Sequence, residues 1–363
     1  MNQFTIIGGG VVGACLAREL SVLSDRVVLI EKEEAPAKVQ TVHNSALVHS
    51  PMMVPSKKGA LKARLARRGN RMYQGLASDW SIPVFTDGGL LLAMNDREEA
   101  LLETMITEAE NDGDAVYERM TRKAILKAEP NVNRDVKSGL FLPEAISADT
   151  AFITNRAIEE AKSRGAKIYT GTEVTDIDVQ SESFILHTAS GGKIETRWVI
   201  NAAGIGAAGI AGLIEEQVTY ENRFVKGDYL VLDQDAAGWA SHILYPIPTL
   251  ETKGILVIPQ PDGTTRLGPT AVEITSKDEA CMRDEDEALI RQEIERMMTN
   301  VPYHRVFRHY TGIRSSLKES DDFYIKPSRE HPQFFHVAGI DSPGVTAAPA
   351  IAEYVAEQIR MSS

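Results

Sequence analysis

The stretch QFTIIGGGVVGACLAREL (residues 3–20) decides the fold of this 363-residue chain. An apolar, β-branched run leads into three glycines, and apolar residues at helical spacing follow, so the stretch predicts strand, tight turn and helix. RVVLI (26–30) predicts a second strand, which runs into Glu31. Strand, glycine turn, helix, strand and acid in this order indicate a Rossmann-like nucleotide-binding unit, and a chance cluster of glycines is the alternative.

Each residue of this Gly-x-Gly-x-x-Gly motif has a physical role. Gly8 permits the tight turn, Gly10 lets a pyrophosphate approach the backbone, and Gly13 lets the helix lie close to the sheet. The start of the helix offers N–H groups and a positive dipole end to phosphates. Glu31 would accept hydrogen bonds from the adenosine ribose and repel a 2′-phosphate, which argues against NADP. The motif alone does not separate NAD from FAD.

A second segment, in the middle of the chain, has the composition of a cofactor-binding turn. RWVINAAGIGAAGIAGLI (197–214) predicts a buried strand that turns through Ala203 and Gly204 into a helix. Such small residues allow backbone to pass close to an extended cofactor. Upstream, the step from Glu173 to Val174 is where an adenine edge would meet backbone groups.

A third segment returns to the same site at the end of the sequence. FFHVAGIDSPGVTAAPAIAEYVAEQI (334–359) predicts a strand ending at Gly339, a Gly-rich turn and a long helix. The N-terminus of that helix would stabilise negative charge on a reduced flavin. A nicotinamide dehydrogenase needs only the first of the three segments, so their combination favours FAD, the longer cofactor.

Motifs spread over almost the whole chain resemble those of the FAD-dependent D-amino-acid-oxidase superfamily. The resemblance is strongest to its glycerol-3-phosphate dehydrogenase/oxidase group, with L-2-hydroxyglutarate oxidases as neighbours. The segments are HNSALVHS (43–50), GALKARLARRGN (59–70), FVKGDYLVLD (224–233), TKGILVIPQPDGTTRLGPTA (252–271), YTGIRSS (310–316), DDFYI (321–325) and AGIDSPGVTAAPAIA (338–352).

The resemblance implies an α/β enzyme that takes hydride from the secondary alcohol of a small anion. The substrate it favours is sn-glycerol 3-phosphate, which would give dihydroxyacetone phosphate, with the flavin reoxidised by oxygen, a quinone or another acceptor. L-2-hydroxyglutarate or another 2-hydroxy acid, and an amine or amino acid, remain alternative substrates. A flavin-binding protein without turnover is an alternative from another class.

The resemblance also implies roles for the loop at HNSALVHS. Asn44 and Ser45 would hydrogen-bond phosphate or ribityl oxygens of the cofactor, and His49 would face the flavin ring on the substrate side. Oxidation of an alcohol requires a base for the O–H proton, and an ordinary imidazole titrates near neutral pH. The alternative for His49 is a structural histidine.

Other residues would hold the substrate or complete the flavin site. Arg314 carries a guanidinium fork that suits phosphate or carboxylate, and its alternative is a surface ion pair. Lys253 resembles a family lysine near the substrate anion, and its alternative is a solvated loop charge. Ser342 and Gly344, in the turn before the last helix, would contact flavin or substrate.

The order of the motifs predicts two domains. The FAD-binding domain is expected to be discontinuous, with a Rossmann-like α/β fold over 1–75, 145–215 and 308–363. The substrate domain is expected over 76–144 and 216–307, as an α+β unit with a mixed, mainly antiparallel sheet. Pockets commonly form between domains, so the active site is expected there.

Composition excludes several classes of function. The net charge of −12 disfavours binding to nucleic acid, and the two cysteines cannot build an iron–sulfur cluster or a Cys-rich zinc site. No basic segment precedes the first strand, so we expect a cytoplasmic protein. The basic run SKKGALKARLARRGNR (56–71) indicates either a solvated helix face or a peripheral membrane-surface helix.

Overall fold

The computed structural model describes residues 1–113, 116–248 and 254–362. In the first third of the chain, helices are separated by one or two strands. The α-helices are α1 (Val11–Leu20), α2 (Ala60–Asp79), α3 (Asp96–Asp112), α4 (Arg122–Ala128), α5 (Thr150–Ser163), α6 (Ala207–Ala211), α7 (Asp284–Met297) and α8 (Gly344–Ser362).

The strands are short and fall into two large sheets and one small sheet. They are β1 (Asn2–Ile7), β2 (Val27–Ile30), β3 (Leu47–Val48), β4 (Val84–Phe85), β5 (Gly89–Ala93), β6 (Glu118–Thr121), β7 (Ser138–Leu142), β8 (Ile146–Ala148), β9 (Lys167–Tyr169), β10 (Val174–Val179), β11 (Phe184–Thr188), β12 (Lys193–Asn201), β13 (Asn222–Leu232), β14 (Ile243–Pro246), β15 (Leu256–Pro259), β16 (Thr265–Gly268), β17 (Val272–Ile274), β18 (Val306–Leu317), β19 (Tyr324–Pro327) and β20 (Phe334–Ala338).

The first large sheet has a parallel centre, as a Rossmann-like unit requires. Strands β20, β12, β1, β2 and β9 lie side by side and parallel, and β10, β11 and β19 add antiparallel edges. Helices α1, α2, α5 and α8 bury their apolar faces in one core with this sheet. The three predicted cofactor segments therefore come from neighbouring parallel strands and end at the same edge.

The second large sheet is mixed and mainly antiparallel. Its strands run in the order β17, β13, β16, β15, β14, β5, β7 and β6, with β18 on the free side of β13 and β14 parallel to β5. Helix α7 covers one face through Ile290 and Ile294. Strands β3, β8 and β4 form the small sheet. This architecture confirms the predicted fold class.

Strand β18 differs from the predicted division of the chain. The sequence places residues 308–363 in the FAD-binding domain, but β18 pairs with β13 of the second sheet from Leu317 to Val306. The chain returns to the first sheet only at β19 and β20. The boundaries of the two domains otherwise remain a prediction.

The basic run 56–71 forms the first half of α2 and the turn before it. Its leucines face the core, with Leu65 buried. Four cations of the described part of this run pair with acids elsewhere in the chain: Lys57 with Glu108, Lys62 with Asp341, Arg67 with Asp112 and Arg68 with Glu353. These pairs favour a packed, solvated helix face. No helix in the described ranges is both long and apolar enough to cross a membrane.

Candidate active site

One large cavity is lined by residues from both large sheets. Its volume is about 1270 Å³, above the ~300–1,000 Å³ of ordinary small-molecule pockets, so a dinucleotide and a small substrate fit together. The wall contains most of the predicted site residues, namely Gly8, Gly10, Gly13, Glu31, Asn44, Ser45, His49, Val174, Ala203, Gly204, Arg314, Ser342 and Gly344.

The glycine turn forms one end of this cavity. A Cβ on Gly13 would stand 1.9 Å from the carbonyl oxygen of Gly8, and one on Gly8 would stand 2.4 Å from that of Ala202. The carboxylate of Glu31 accepts hydrogen bonds from the backbone N–H of Gly9 at 2.6 Å and of Glu33 at 2.9 Å. The turn therefore exposes bare backbone to the cavity, as a pyrophosphate needs.

Two side chains that the sequence did not single out connect the segments at this end of the cavity by hydrogen bonds. Thr41 Oγ1 accepts the N–H of Val11, the first residue of α1, at 3.0 Å. Gln40 donates to the carbonyl of Ile313 at 3.1 Å and accepts the N–H of Ile205 at 3.1 Å. Gln40 thus connects the N-terminal loop with the mid-chain turn and with β18. No periodicity or motif marks these residues, because their partners are distant in sequence.

The loop at HNSALVHS lies along the cavity and is held by its own side chains. Asn44 donates its amide hydrogens to the carbonyls of Gln40 and Thr41, and its Oδ1 accepts the N–H of Ala46. Ser45 hydrogen-bonds the side chain of Tyr229. Asn44 therefore shapes the loop, and the cofactor contacts predicted for both residues remain predictions.

His49 is buried in this wall. Its backbone N–H donates to Thr346 Oγ1 at 2.9 Å, and its carbonyl accepts from Asn70 at 3.0 Å. Its Nε2 shares a hydrogen bond with Ser342 Oγ at 3.3 Å. Helices α2 and α8 thus fix the backbone, while Ser342 orients the imidazole. Two residues predicted separately, from distant segments, meet here.

The turn before α8 carries a further charged pair. Lys62 reaches from α2 to Asp341, at 2.7 Å, and Ser316 donates to the other carboxylate oxygen of Asp341 at 2.8 Å. Gly344 starts α8 in the cavity wall. Gly339 is the exception among the predicted glycines: it turns the chain at φ +67° against Leu317 and does not line the cavity.

Arg314 lies within β18. It pairs across the sheet with Val225 on the cavity face. Its Nη1 donates to the carbonyl of Lys226 at 3.1 Å and its Nη2 to that of Thr270 at 2.9 Å. These contacts favour a held guanidinium over the surface ion pair considered as the alternative. Two backbone carbonyls hold the fork, and other N–H groups of the guanidinium remain to meet an anion.

Tyr245, on β14, adds an unpredicted polar group to the wall. Its side chain is fully buried, and its hydroxyl has no hydrogen-bond partner within the described residues. Burial raises the pKa of Tyr245, so the hydroxyl keeps its proton as a donor. A buried hydroxyl without a partner is costly, and a bound polar molecule would satisfy it.

Lys253 falls outside the described residues, so its predicted place beside the substrate remains a prediction. Within the described ranges, no group of three or more His, Cys, Asp or Glu side chains is placed to hold a metal ion. Besides the Lys62–Asp341 pair, the wall offers an imidazole, a held guanidinium, a tyrosine hydroxyl and exposed backbone.

Comparison with known proteins identifies a family and relatives over almost the whole chain. The family model described as DAO, FAD dependent oxidoreductase, matches residues 3–358. A glycerol 3-phosphate dehydrogenase of Caloramator mitchellensis is 29% identical over 360 residues, or 99% of this chain and 74% of that protein. An L-2-hydroxyglutarate dehydrogenase of Escherichia coli (strain K12) is 28% identical over 280 residues, or 75% of this chain and 64% of that protein.

A solved structure matches the whole fold. Dithionite-reduced L-α-glycerophosphate oxidase from Mycoplasma pneumoniae, with FAD bound, has a TM-score of 0.91 and 25% sequence identity, covering 99% of this chain and 94% of that chain.

Proposed function

This chain belongs to the DAO family of FAD-dependent oxidoreductases, and we propose that it oxidises sn-glycerol 3-phosphate to dihydroxyacetone phosphate. FAD is the cofactor, as the three segments of the sequence predict. The observation that carries the proposal is that His49 and Arg314 lie in the wall of one cavity with the glycine turn. A base and an anion-binding fork are what the oxidation of a phosphorylated alcohol requires.

The residues divide the work between binding and proton transfer. Bound FAD would accept the hydride from the carbinol carbon. Arg314, held by two carbonyls, binds the phosphate and fixes the distance from the anion to the reacting carbon. His49, oriented by Ser342, takes the hydroxyl proton. The hydroxyl of Tyr245 donates to a substrate oxygen, which satisfies its buried group.

The test is anaerobic reduction of the bound flavin, followed by its absorbance. Glycerol 3-phosphate is expected to bleach the flavin, and admission of air is expected to restore the colour, with hydrogen peroxide measured as product if oxygen is the acceptor. A flavin that stays oxidised with every small anionic alcohol would leave a cofactor-binding protein without turnover. A colourless purified protein that binds NAD would contradict the assignment of FAD as the cofactor.

L-2-hydroxyglutarate is the second candidate substrate. The similarity to the E. coli L-2-hydroxyglutarate dehydrogenase favours it, and a guanidinium fork binds a carboxylate as well as a phosphate. The same assay separates the two, because the preferred substrate bleaches the flavin at lower concentration and at a higher rate.

Replacing Arg314 with lysine is expected to raise KM far more than it lowers kcat. Lysine is a point charge and cannot bind two carbonyls and an anion in one plane. The loss of a hydrogen bond to a charged group is worth about 1.5–3 kcal/mol, or roughly 10- to 100-fold in KM. Steady-state kinetics of Arg314→Lys measure this, with flavin content as the control. An unaltered KM would place the substrate elsewhere.

Replacing Tyr245 with phenylalanine is expected to raise KM several-fold without loss of thermal stability. The hydroxyl makes no bond to the described residues, so its removal leaves no protein group unpaired. Tyr303→Phe is the matched control: its hydroxyl donates to the carbonyl of Arg291 in α7, outside the cavity wall. That variant should lose stability and keep its KM. A Tyr245→Phe protein with lower Tm and normal KM would make this hydroxyl structural.

A further inference from the structure

The back of strand β13 carries a buried cluster of charges. Lys226 and Asp228 have no exposed side-chain area, and their charged groups lie 3.1 Å apart. The ammonium of Lys226 also contacts Asp286, at the start of α7, and donates to the carbonyl of Cys281 at 2.7 Å. Burial alone would lower the pKa of Lys226, but the hydrogen bonds to Asp286 and Asp228 outweigh it and raise this pKa. Lys226 therefore keeps its positive charge in this buried position.

Asp228 is the centre of the cluster. Its Oδ2 accepts the hydroxyl of Thr270 at 2.7 Å, and its Oδ1 accepts that of Thr311 at 2.5 Å. Its backbone N–H donates to Thr270 Oγ1 at 2.9 Å. Thr270 is thus bound twice to one residue, once through the carboxylate and once through the backbone.

The front of the same strand faces the part of the cavity that holds Arg314, which we call the substrate end. Side chains alternate between the faces of a strand, so Val225, Gly227 and Tyr229 line the cavity while Lys226 and Asp228 point away. Gly227 leaves the space that Arg314 occupies, because a Cβ there would stand 3.1 Å from Arg314 Nη2. The guanidinium therefore lies flat against β13.

The two faces are connected through two residues. Arg314 donates to the carbonyls of Lys226 and Thr270 on the front. The side chains of these same two residues bind Asp228 on the back. Buried ion clusters contribute little net stability, because desolvation offsets attraction. The cluster does, however, bind the side chains of the two residues whose carbonyls hold Arg314.

We infer that Asp228 and Thr270 are positioning residues that set the affinity of the site for its anionic substrate by fixing the carbonyls that orient Arg314. The inference rests on the proposed role of Arg314 in binding that anion. Neither residue lines the cavity. Loss of the Thr270 hydroxyl frees one carbonyl, lets the fork turn and weakens binding of the anion before it affects the chemistry.

Thr270→Val tests this, because it removes the hydroxyl and keeps the shape. KM for glycerol 3-phosphate is expected to rise about tenfold, the scale of one weakened hydrogen bond to a charge, with kcat within about twofold. Thr270→Ser keeps the hydroxyl and should restore the wild-type KM. Thr154→Val is the matched control, since it removes a buried hydroxyl that donates to Thr150 in α5; its KM should be unchanged.

A double-mutant cycle distinguishes positioning from general damage. If Thr270 acts through Arg314, adding Thr270→Val to Arg314→Lys should raise KM by less than twofold more. A full additional tenfold effect, or a Thr270→Val protein with normal KM, would overturn the inference. Asp228→Asn, if it folds, should resemble Thr270→Val.

Calorimetric titration of the holoenzymes with inorganic phosphate separates this inference from the proposed function. Phosphate needs no turnover, so its Kd should be about tenfold weaker in Thr270→Val even if glycerol 3-phosphate proves not to be the substrate. If 2-hydroxyglutarate reduces the flavin instead, the same KM comparison is made with that carboxylate. Equal binding of phosphate by wild type, Thr270→Val and Arg314→Lys would reject the inference by itself.

Discussion

In the His49→Ala variant, we expect FAD to remain bound while its reduction by substrate slows by about 10²- to 10⁴-fold, the usual contribution of a general base. The imidazole is the basic side chain that Ser342 orients in the cavity wall. The backbone bonds to Thr346 and from Asn70 do not involve the imidazole, so the loop should keep its place in the variant. Anaerobic stopped-flow measurement of flavin bleaching gives the rate directly.

Two controls separate catalysis from structure in this experiment. His187, on β11, pairs with Asp178 outside the cavity wall, so His187→Ala should reduce its flavin at the wild-type rate. If His49 is only structural, His49→Ala should lose FAD and thermal stability while each remaining flavin is reduced normally. That result would remove His49 from the role of base.

The sequence predicts the cofactor end of the cavity well because its constraints are local. Gly8, Gly13 and Gly204 permit backbone positions that a side chain would block. A short motif records each of these constraints, together with the strand before it and the helix after it. The three segments could therefore be assigned to one site before any contact was known.

The substrate end is harder to predict because its constraints are distant in the chain. Arg314 is held by the backbone carbonyls of Lys226 and Thr270. Every residue has such a carbonyl, so the sequence does not show which ones bind the guanidinium. The unpaired hydroxyl of Tyr245 is visible only once the strand is packed. The pairing of β18 with β13 is hard to predict for the same reason, since it joins residues far apart in sequence.

The charged residues of the basic run 56–71 have different environments in the folded chain. Composition alone leaves a membrane-surface helix and a solvated face as alternatives. In the structure, Lys62 turns inward to Asp341 at the cavity wall, while Arg68 pairs with Glu353 on α8. One segment thus supplies both a surface ion pair and a charge beside the cavity. The helical spacing of the basic residues does not show which of them has which role.

In the Gly13→Ala variant, we expect a folded but largely colourless protein whose affinity for FAD is at least about tenfold weaker. The added Cβ would stand 1.9 Å from the carbonyl oxygen of Gly8 and 3.5 Å from Leu29. The contact at Gly8 is with backbone, so α1 or the turn must move. Either shift displaces the N–H groups that face the pyrophosphate. The ratio of flavin to protein absorbance after purification, and titration of the apoprotein with FAD, measure the effect.

Gly75→Ala provides the matched control, because Gly75 is also a helical glycine but nothing lies within 4 Å of its added Cβ. It lies on the exposed side of α2, where alanine should stabilise the fold by roughly 0.5–1 kcal/mol. That variant should purify yellow with a higher Tm. The same substitution is thus expected to be harmful at Gly13 and stabilising at Gly75. The cause of the difference is the close approach of Gly8 to α1. A Gly13→Ala protein with full flavin content would show that the turn adapts and that this packing does not control FAD binding.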